Sequence, residues 1–507
     1  MGSTSNLRDF LLSALSTLPG TRELFLHVLV TAPRKHQGLF PFARPRPRAY
    51  LQDILVLLSE QPTPDAPRLL TTAIEASVYN IPTTSCAILY ISKVDSTGQA
   101  TFPSPTPLLV RSLLEFYADP ATRPVAANHL WIHLFARAQS QYLFPNSADF
   151  SGKKPLSDVK LCAWWKRVLG ETVDAVKKRA QAEIVKTEMC YVLPGYSQLE
   201  AEQALARAAT HPNASDASWV YGHPYSQKEI PLPCPPPSGS TRNLGHFIPT
   251  FDDDPKSRFM DEIGCDEEVI KSPPKKRART DNTEKHAVDK GAKEKEDKVA
   301  GELTRVSVDE FWERMSFRQE CVAGAVTGFF TVAVSCKMPP HNGLSPLAPS
   351  PGQVSSQLNK RVLSSLMTGL EFSTLERAIK ATESLEGSIK GLCEGIVPLP
   401  SPLPLAKPSQ GQGSSDRART PEPSSQSTLL APPSTPPRRT GVTTVPDVSP
   451  NPFPEPVTSL ETYDSYIFGT ITVKNAAPAK TREAAAGSTP TAAVTVLAVR
   501  KKRKPGK

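Results

Sequence analysis

The sequence lacks the patterns that mark several common protein classes. Its eight cysteines show no CxxC spacing, which argues against a zinc site or a redox pair. The polar N-terminal residues 1–6 contain no apolar core for secretion, and Asn6 departs from the myristoylation pattern. The apolar run from Cys321 to Cys336 is too short to span a bilayer comfortably, so we interpret it as a buried core segment.

Proline and positive charge are abundant instead. Proline is densest in residues 398–490, which hold 18 of the 52 prolines in this chain of 507 residues, and this favours one core of about 300 residues over three domains. A net charge of +9 favours acidic partners such as nucleic acid or acidic chaperones. The charged stretch between Glu267 and Gly301 has almost no aromatic residues, and we expect it to be disordered.

Apolar periodicity predicts a mixed α/β (α+β) fold with a central mixed β-sheet surrounded by helices. Residues 6–17 have helical spacing. Runs rich in apolar and β-branched residues predict strands over Leu24–Val30, Tyr50–Leu58, Leu69–Val78 and Ser85–Ser92. Further helices are predicted over 107–117, 124–141, Asp158–Val173 and Asp174–Thr187, with two more within 353–396.

Composition divides the chain into five parts. They are a first core part (1–265), a disordered charged insert (266–303), a helical continuation of the core (304–397), a disordered Pro/Ser/Thr-rich tail (398–490) and an apolar segment with a basic C-terminus (491–507). Within the last part, Ala492–Val499 could pair as an edge strand. Lys275–Arg279 is typical of a nuclear import signal and Arg500–Lys504 is a second basic run, although either could be a nonspecific nucleic-acid patch.

Three adjacent carboxylates stand out in the segment Phe251–Phe259, which also contains Lys256 and Arg258. Repulsion among the three predicts a raised pKa for at least one of them if the segment is partly buried. A solvated acidic turn is the alternative interpretation. Two upstream segments favour a functional role, namely Phe135–Ser147 and the pair Trp164–Trp165.

Several short motifs, taken in their order along the chain, resemble one protein family. They are Ser92–Gly98 (SKxDT-like), Ser140–Pro145 (SQYLFP), Lys153–Lys154, Trp164–Trp165, Asp253–Phe259 (DDPKxRF) and Val306–Trp312 with Arg318–Glu320 (VSxxxFW…RQE). The family is that of the fungal histone H3 lysine acetyltransferases of the regulator-of-Ty-transposition type, structurally related to the CREB-binding-protein acetyltransferases. The chain lacks the Q/RxxGxG/A loop of the commonest acetyltransferase superfamily.

This resemblance implies a nuclear histone acetyltransferase that uses acetyl-CoA as co-substrate, requires no metal, and modifies a lysine of the histone H3 core. It implies a link to replication-coupled nucleosome assembly and the DNA damage response. The implied partners are histone H3–H4 and histone chaperones of the anti-silencing-function type and the nucleosome-assembly-protein family, without membrane or sequence-specific DNA binding. A catalytically inactive chromatin scaffold that binds histone chaperones is the alternative.

The resemblance also assigns site residues. Asp254 matches the proton acceptor and Asp253 its neighbour, and a true base at Asp254 requires a pKa raised by burial; an orienting charge is the alternative. Tyr142, Trp164 and Trp165 are suited to wall a lysine tunnel, or are ordinary core aromatics. Lys256 matches an autoacetylated lysine, with a simple ion pair as the alternative. The cofactor-binding residues would be Val94, Asp95, Ser96, Phe135, Gln139, Lys153, Lys154, Leu156 and Trp164.

Overall fold

The computed structural model describes residues 6–209, 218–239, 243–264, 303–318, 321, 325–337, 345–394 and 451–476. Within these residues a ten-stranded mixed sheet forms the centre of the molecule. Its strands are β1 (Gly20–Val30), β2 (Arg34–His36), β3 (Ala49–Gln61), β4 (Leu69–Ile81), β5 (Cys86–Ser96), β6 (His129–Ala136), β7 (Ile184–Val192), β8 (Val220–Tyr221), β9 (Gly328–Cys336) and β10 (Phe468–Asn475).

The strand order is β10-β1-β3-β4-β5-β6-β9-β7-β8, with β2 paired to β3. Neighbouring strands are antiparallel except for two parallel pairs, β5 with β6 and β7 with β8. A parallel pair needs a crossover connection, and helix α2 (Thr106–Ala118) provides the one between β5 and β6. This crossover places the ends of β5 and β6 at the same edge of the sheet.

Helices cover one face of the sheet through a large apolar core. They are α1 (Leu7–Leu15), α2, α3 (Asp158–Arg179) and α4 (Gln198–Ala208). Leu11 and Leu15 of α1 are fully buried at four-residue spacing, so this helix presents one apolar stripe to its neighbours. The same core contains alternate residues of the strands, including Ile54 and Val56 of β3.

The opposite face is covered in two regions. Helices α7 (Ser356–Thr368) and α8 (Leu375–Glu394) pack over the part of the sheet that contains β1 and β3. Helices α5 (Pro255–Gly264) and α6 (Val308–Met315) pack with Phe329 of β9 in a second cluster, and Phe251, just before α5, packs on Tyr90 and Trp131 of β5 and β6. The predicted fold class, a central mixed sheet surrounded by helices, is confirmed.

Two predicted helices are wrong. Residues 124–141 contain strand β6, and the predicted helix Asp174–Thr187 is the end of α3 followed by the start of β7 at Ile184. Strand β6 is buried on both faces, against the core under the helices on one side and against residues around Phe251 on the other, so the run Leu130–Phe135 is apolar apart from His133. Such a run cannot be assigned to helix or strand from periodicity alone.

The prediction of a disordered tail over 398–490 is wrong for residues 451–476, which end in β10. This strand pairs antiparallel with β1, from Gly20 with Asn475 to His27 with Phe468. Most β10 side chains are at least partly exposed, as an edge strand requires, so the segment lacks the apolar richness that marks a central strand. The predicted import signal at Lys275–Arg279 and the segments Ala492–Val499 and Arg500–Lys504 lie outside the described residues.

Candidate active site

The parallel strands β5 and β6 bring two groups of predicted site residues to one edge of the sheet. Residues 94–96 end β5, and Phe135 is the last residue but one of β6. The two strands pair in parallel up to Ile91 with Leu134, so their ends lie side by side. The loop 137–157 then leads from β6 to α3 and carries most of the remaining predicted residues.

Asp95 fixes this loop to the end of β5. The residue is 6% exposed, and its Oδ2 accepts the backbone N–H groups of residues 142, 143 and 144 at 2.7, 2.9 and 3.2 Å. Its Oδ1 accepts the N–H of Ser96 at 2.8 Å and the Nζ of Lys153 at 2.8 Å. Because a buried carboxylate needs such donors, Asp95 and the loop hold each other in place. Both carboxylate oxygens of Asp95 thus bind donors of the protein itself.

The ammonium of Lys153 also has its partners within the protein. Its side chain is 6% exposed, and its Nζ also donates to the Oγ of Ser147 at 2.7 Å. Gly98, at a φ of +79°, lets the backbone of Lys153 approach, since a Cβ there would lie 2.5 Å from the Cα of Lys153. The structure therefore does not support a phosphate contact for this ammonium. The side chain of its neighbour Lys154 is exposed, so the predicted contact of Lys154 with a cofactor phosphate stays a prediction.

Tyr142 is half-buried beside the apolar cluster of α7 and α8. Burial, and then the negative charge of Asp95, raise the pKa of its hydroxyl to about 12. The hydroxyl is therefore protonated at neutral pH. In that state it can donate a hydrogen bond to a substrate atom.

The two tryptophans of α3 differ in their surroundings. Trp165 is 4% exposed and lies in the core between the helices and the sheet. Trp164 is partly buried against that core, and the two rings meet edge to face with centroids 4.7 Å apart. Trp165 is thus a core aromatic, which was the alternative interpretation of the sequence. Its role in a lysine tunnel stays a prediction.

The acidic turn before α5 is fastened to β5 through Asp253. The hydroxyls of Tyr90 and Ser92 donate to this carboxylate at 3.0 and 2.9 Å, and the Nζ of Lys93 lies 3.0 Å from it. Burial alone would raise the pKa of Asp253. The charge of Lys93 and the hydrogen bonds from these side chains outweigh burial and lower the pKa below its usual 3.8. Asp253 is therefore not a carboxylate with the raised pKa that the sequence predicts for at least one of the three, and it is a weak proton acceptor.

Asp254 and Lys256 form a buried ion pair. Asp254 is 1% exposed; its Oδ1 accepts the N–H of Lys256 at 2.9 Å, and its Oδ2 lies 2.6 Å from Nζ. The ammonium lies 4.8 Å from the ring centroid of Phe329 and 5.8 Å from that of Phe251. Asp254 directly precedes Pro255, the first residue of α5, so it also caps that helix. The ion pair that the sequence left as an alternative for Lys256 is present.

Strand β5 joins the two halves of the candidate site. Lys93 and Asp95 pair in regular register with Glu75 and Ala73 of β4, so their side chains leave the strand on the same side. Lys93 binds the acidic turn, while Asp95 binds the loop of Tyr142. Trp165 lies on α3, and its ring contacts that of Trp164.

Several residues of this site were missed by sequence reasoning. Lys93 also pairs with Glu75 at 2.8 Å, and Tyr90 stacks on Phe251 with ring centroids 4.0 Å apart. The buried ring of His133 lies 5.8 Å from that of Phe251, and burial and then the charge of Lys256 hold its pKa well below the usual value. Ser92 and Lys93 lie inside the motif SKVDSTG, which was the available signal. For Tyr90 and His133 the sequence contained no signal, because each stands within an otherwise apolar run of its strand and in no recognised motif.

The described residues contain neither a metal-binding cluster nor a membrane-crossing helix. No group of three or more His, Cys, Asp or Glu residues in this part of the chain is placed to hold a metal ion. Among the described helices, none combines the length and the apolar character that a membrane crossing needs.

Comparison with known proteins places this geometry in context. The family model of the histone acetyltransferase KAT11-type domain matches residues 120–388, more than half of the chain. The match includes the loop of Tyr142, helix α3 and the acidic turn.

Two curated relatives are similar in sequence. One is the histone acetyltransferase rtt109 of Aspergillus flavus, 31% identical over 290 residues that cover 54% of this chain and 46% of the relative. The other is the histone acetyltransferase rtt109 of Schizosaccharomyces pombe, 26% identical over 254 residues, with 48% and 52% covered. The chain thus spans about half the length of the curated relatives it matches.

A solved structure shares the fold. The crystal structure of Rtt109 from Aspergillus fumigatus aligns with a TM-score of 0.55 over 75% of this chain and 96% of that one, at 23% identity. At this identity the similarity shows the fold alone.

Proposed function

Because the chain belongs to the histone acetyltransferase KAT11-type family, we propose that it transfers an acetyl group from acetyl-CoA to a lysine of the histone H3 core. The observation that carries the proposal is the meeting of two matched segments on β5. The loop of Tyr142 is bound to Asp95, and the acidic turn is bound to Lys93, two residues away. Both segments lie within the residues that the family model matches.

The loop between β6 and α3 has the chemical character that acetyl-CoA requires. Leu156 is 42% exposed although it is apolar, and two polar residues of the same loop are exposed too, Lys154 just before it and Gln139 near the start of the loop. An exposed apolar side chain together with a cation suits a ligand that carries both an apolar arm and phosphates. Val94, Ser96 and Phe135 would supply the inner wall at the strand ends. Acetyl-CoA, as co-substrate, supplies the activated acyl group.

The acceptor lysine must lose a proton before it attacks the thioester. At pH 7 deprotonation of a free lysine costs about 4–5 kcal/mol, and removal of the amine from water reduces that cost. Asp253, with its lowered pKa, is suited to orient the incoming amine by its charge and is poorly suited to take the proton. The hydroxyl of Tyr142 can donate a hydrogen bond to oxygen that gains negative charge.

Lys256 decides what Asp254 can do. While the ammonium of Lys256 lies 2.6 Å from Oδ2, the carboxylate of Asp254 is neutralised by its counter-ion. Autoacetylation would form an amide at Nζ and remove that charge, leaving a carboxylate that is 1% exposed without a counter-ion. Such a carboxylate binds a proton more readily. We therefore propose that acetylation of Lys256 turns Asp254 from an orienting group into the proton acceptor.

The proposed setting is the nucleus, with histone H3–H4 as substrate presented by chaperones of the anti-silencing-function type and the nucleosome-assembly-protein family. The link to replication-coupled nucleosome assembly and the DNA damage response belongs to the same proposal. Two curated relatives named histone acetyltransferases support a chromatin role, and the net charge of +9 suits acidic chaperones.

The test is to incubate the purified protein with acetyl-CoA and a histone H3–H4 complex and to locate acetyl groups by mass spectrometry. We expect acetylation of H3 and of Lys256. Asp254→Asn should lower turnover more than it raises the KM for acetyl-CoA, because the proposed role is in the chemistry. Lys256→Arg keeps the charge and should be slower than Lys256→Gln. Absence of H3 acetylation by a folded protein would favour the inactive scaffold.

A further inference from the structure

A cavity of about 380 Å³ lies apart from the proposed catalytic residues, between the end of β7, the turn after β8 and helix α6. Aromatic and acidic side chains line it together: Tyr196, Tyr221, His223, Asp309, Trp312 and Glu313. Nothing in the proposed acetyl transfer uses this cavity. Its lining nevertheless has a definite chemical preference, which follows from its shape, its rings and its charges.

Hydrogen bonds hold one wall of the cavity, and two glycines border its interior. The hydroxyl of Tyr221 donates to the carbonyl oxygens of Leu193, at 3.1 Å, and of Tyr196, which fixes one wall. Gly195 and Gly222, with φ of +85° and +127°, turn the chain beside it. A Cβ at either glycine would meet no described atom within 4 Å, so these two positions border open space.

The charges at the rim favour a cation. Asp309 has a side chain that is 93% exposed and accepts from Nε2 of His223 at 2.8 Å, while Glu313 is exposed one turn further along α6. Aromatic faces attract cations, and a planar guanidinium both stacks on rings and binds carboxylates with two N–H groups. An ammonium can satisfy the charges but stacks less well. The combination of rings and carboxylates therefore favours arginine.

The cavity is one side chain away from the candidate active site. The ring of Trp312 contacts that of Phe329, with centroids 5.0 Å apart, and the ammonium of Lys256 lies 4.8 Å from the centroid of Phe329 on β9. A peptide whose acceptor lysine reaches the acidic turn can thus place a neighbouring side chain in the cavity.

We propose that this cavity binds the guanidinium of an arginine in a basic substrate peptide and so selects peptides with arginine near the acceptor lysine. The selection of substrate peptides rests on the proposed acetyl transfer, whereas binding of an arginine peptide to the cavity can occur without that reaction. The two ideas can therefore be tested separately.

The test measures peptide binding by calorimetry with the full chain and without acetyl-CoA. The probes are a short Gly/Ser-rich peptide with one lysine and two arginines, and the same peptide with glutamine in place of both arginines. The variant Asp309→Asn/Glu313→Gln removes two exposed carboxylates without removing any ring. The control Glu376→Gln/Glu383→Gln makes the same change of charge on exposed positions of α8.

We expect the arginine peptide to bind wild type more tightly than the glutamine peptide, and the cavity variant to weaken the arginine peptide by about five- to tenfold. The control variant should bind the arginine peptide about as tightly as wild type does. The affinity for the glutamine peptide should differ little between wild type and the cavity variant. Trp312→Leu, checked for folding by its melting temperature, should also reduce the preference for arginine.

Three results would overturn the proposal: no measurable binding of the arginine peptide, equal affinity of both peptides for wild type, or a preference for arginine that survives in the cavity variant. The acetylation assay separates this inference from the proposed function. Loss of acetylation with retained arginine-dependent binding would contradict only the proposed function. Acetylation that is indifferent to arginine would contradict only the selection by the cavity.

Discussion

Asp95 shows how one buried side chain sets the geometry of a loop. It accepts hydrogen bonds from three consecutive N–H groups and pairs with a lysine whose side chain is 6% exposed. The pairing was not foreseen, because the sequence assigned both Asp95 and Lys153 to the cofactor. The pairing of Asp95 with Lys153 places both side chains under the loop, where they determine the position of Tyr142 before any ligand binds.

Asp95→Asn should therefore lower the free energy of unfolding by about 3–5 kcal/mol, because it leaves the ammonium of Lys153 buried without a counter-ion. Urea unfolding measures this loss. The exposed neighbour provides a control, since Lys154→Gln should change stability by less than about 0.5 kcal/mol. A loss as small as that of the control would show that Lys153 finds solvent, and would return it to the candidates for phosphate binding.

The pair of Lys93 and Asp253 predicts a pH dependence. Burial alone would lower the pKa of Lys93, but Glu75 and then Asp253 raise it above its usual 10.5, while the pKa of Asp253 lies below its usual 3.8. The contribution of Asp253 is present above its unfolded pKa and lost as pH falls through its folded pKa. The contribution of Lys93 is present below its unfolded pKa and lost as pH rises through its folded pKa.

Lys93→Met should accordingly destabilise the protein most between about pH 5 and pH 9, and the difference from wild type should shrink in acid. Because the side chain of Asp253 is 38% exposed, solvent screens the pair and we expect a loss of about 1 kcal/mol or less. Melting temperatures from about pH 3 to pH 9 provide the measurement. Lys93→Arg keeps the charge and should retain most of the effect; a loss that is equal at every pH would mean that only packing was changed.

At the level of the elements, α3 combines a core role with a predicted site role. Its residue Trp165 is 4% exposed within the main apolar core, whereas Trp164 is only partly buried. The helix therefore anchors the layer that covers β6, and the end of β6 carries the candidate site.

Trp165→Ala should lower the free energy of unfolding by about 3–5 kcal/mol, because it leaves a cavity in a packed core. Leu156→Ala, at a side chain that is 42% exposed, should cost far less and serves as the control. Activity is then measured on the fraction that remains folded at low temperature. Stability close to wild type would instead place Trp165 in an open tunnel.

The elements also show what the sequence could predict. Helix α1, helix α2, strands β1, β3, β4 and β5, and the pair α7 and α8 lie close to their predicted ranges, because each has a strong period or clear breaking residues. Strand β6 was assigned to a helix because both of its faces are buried, so its sequence does not alternate between apolar and polar residues. Contacts such as that of Tyr90 with Asp253, 163 residues apart, depend on the assembled sheet and leave no local signal.

The whole molecule is completed by a segment from its C-terminal part. Besides pairing with β1, residues 464–475 contact α1 and the residue that follows it: Arg8 donates to the carbonyl oxygen of Phe468 at 2.8 Å, and Asn475 donates to that of Ser16 at 2.7 Å. The order of strands in the sheet could not be predicted, because the sequence does not tell which distant strand lies beside β1.

Two deletions test this arrangement. Removal of 400–446 should leave the melting temperature nearly unchanged, because those residues are rich in proline and poor in large apolar groups. Removal of 400–476 should lower it by several degrees, because β1 loses its outer neighbour and Val473 leaves the core. Differential scanning fluorimetry compares the two. Equal melting temperatures would show that β10 adds nothing to the fold.

The position of β10 has a consequence for synthesis on the ribosome. Phe468 follows Arg8 by 460 residues, yet both meet at the same side of the sheet. At about 5–20 residues per second, β1 waits roughly 20–90 s after its own translation before its outer partner emerges. During that interval the nascent chain exposes an unpaired strand edge. An exposed strand edge can pair with other chains and aggregate. A chaperone that shields the edge of β1 during that interval would therefore increase the fraction of newly made protein that reaches its folded state.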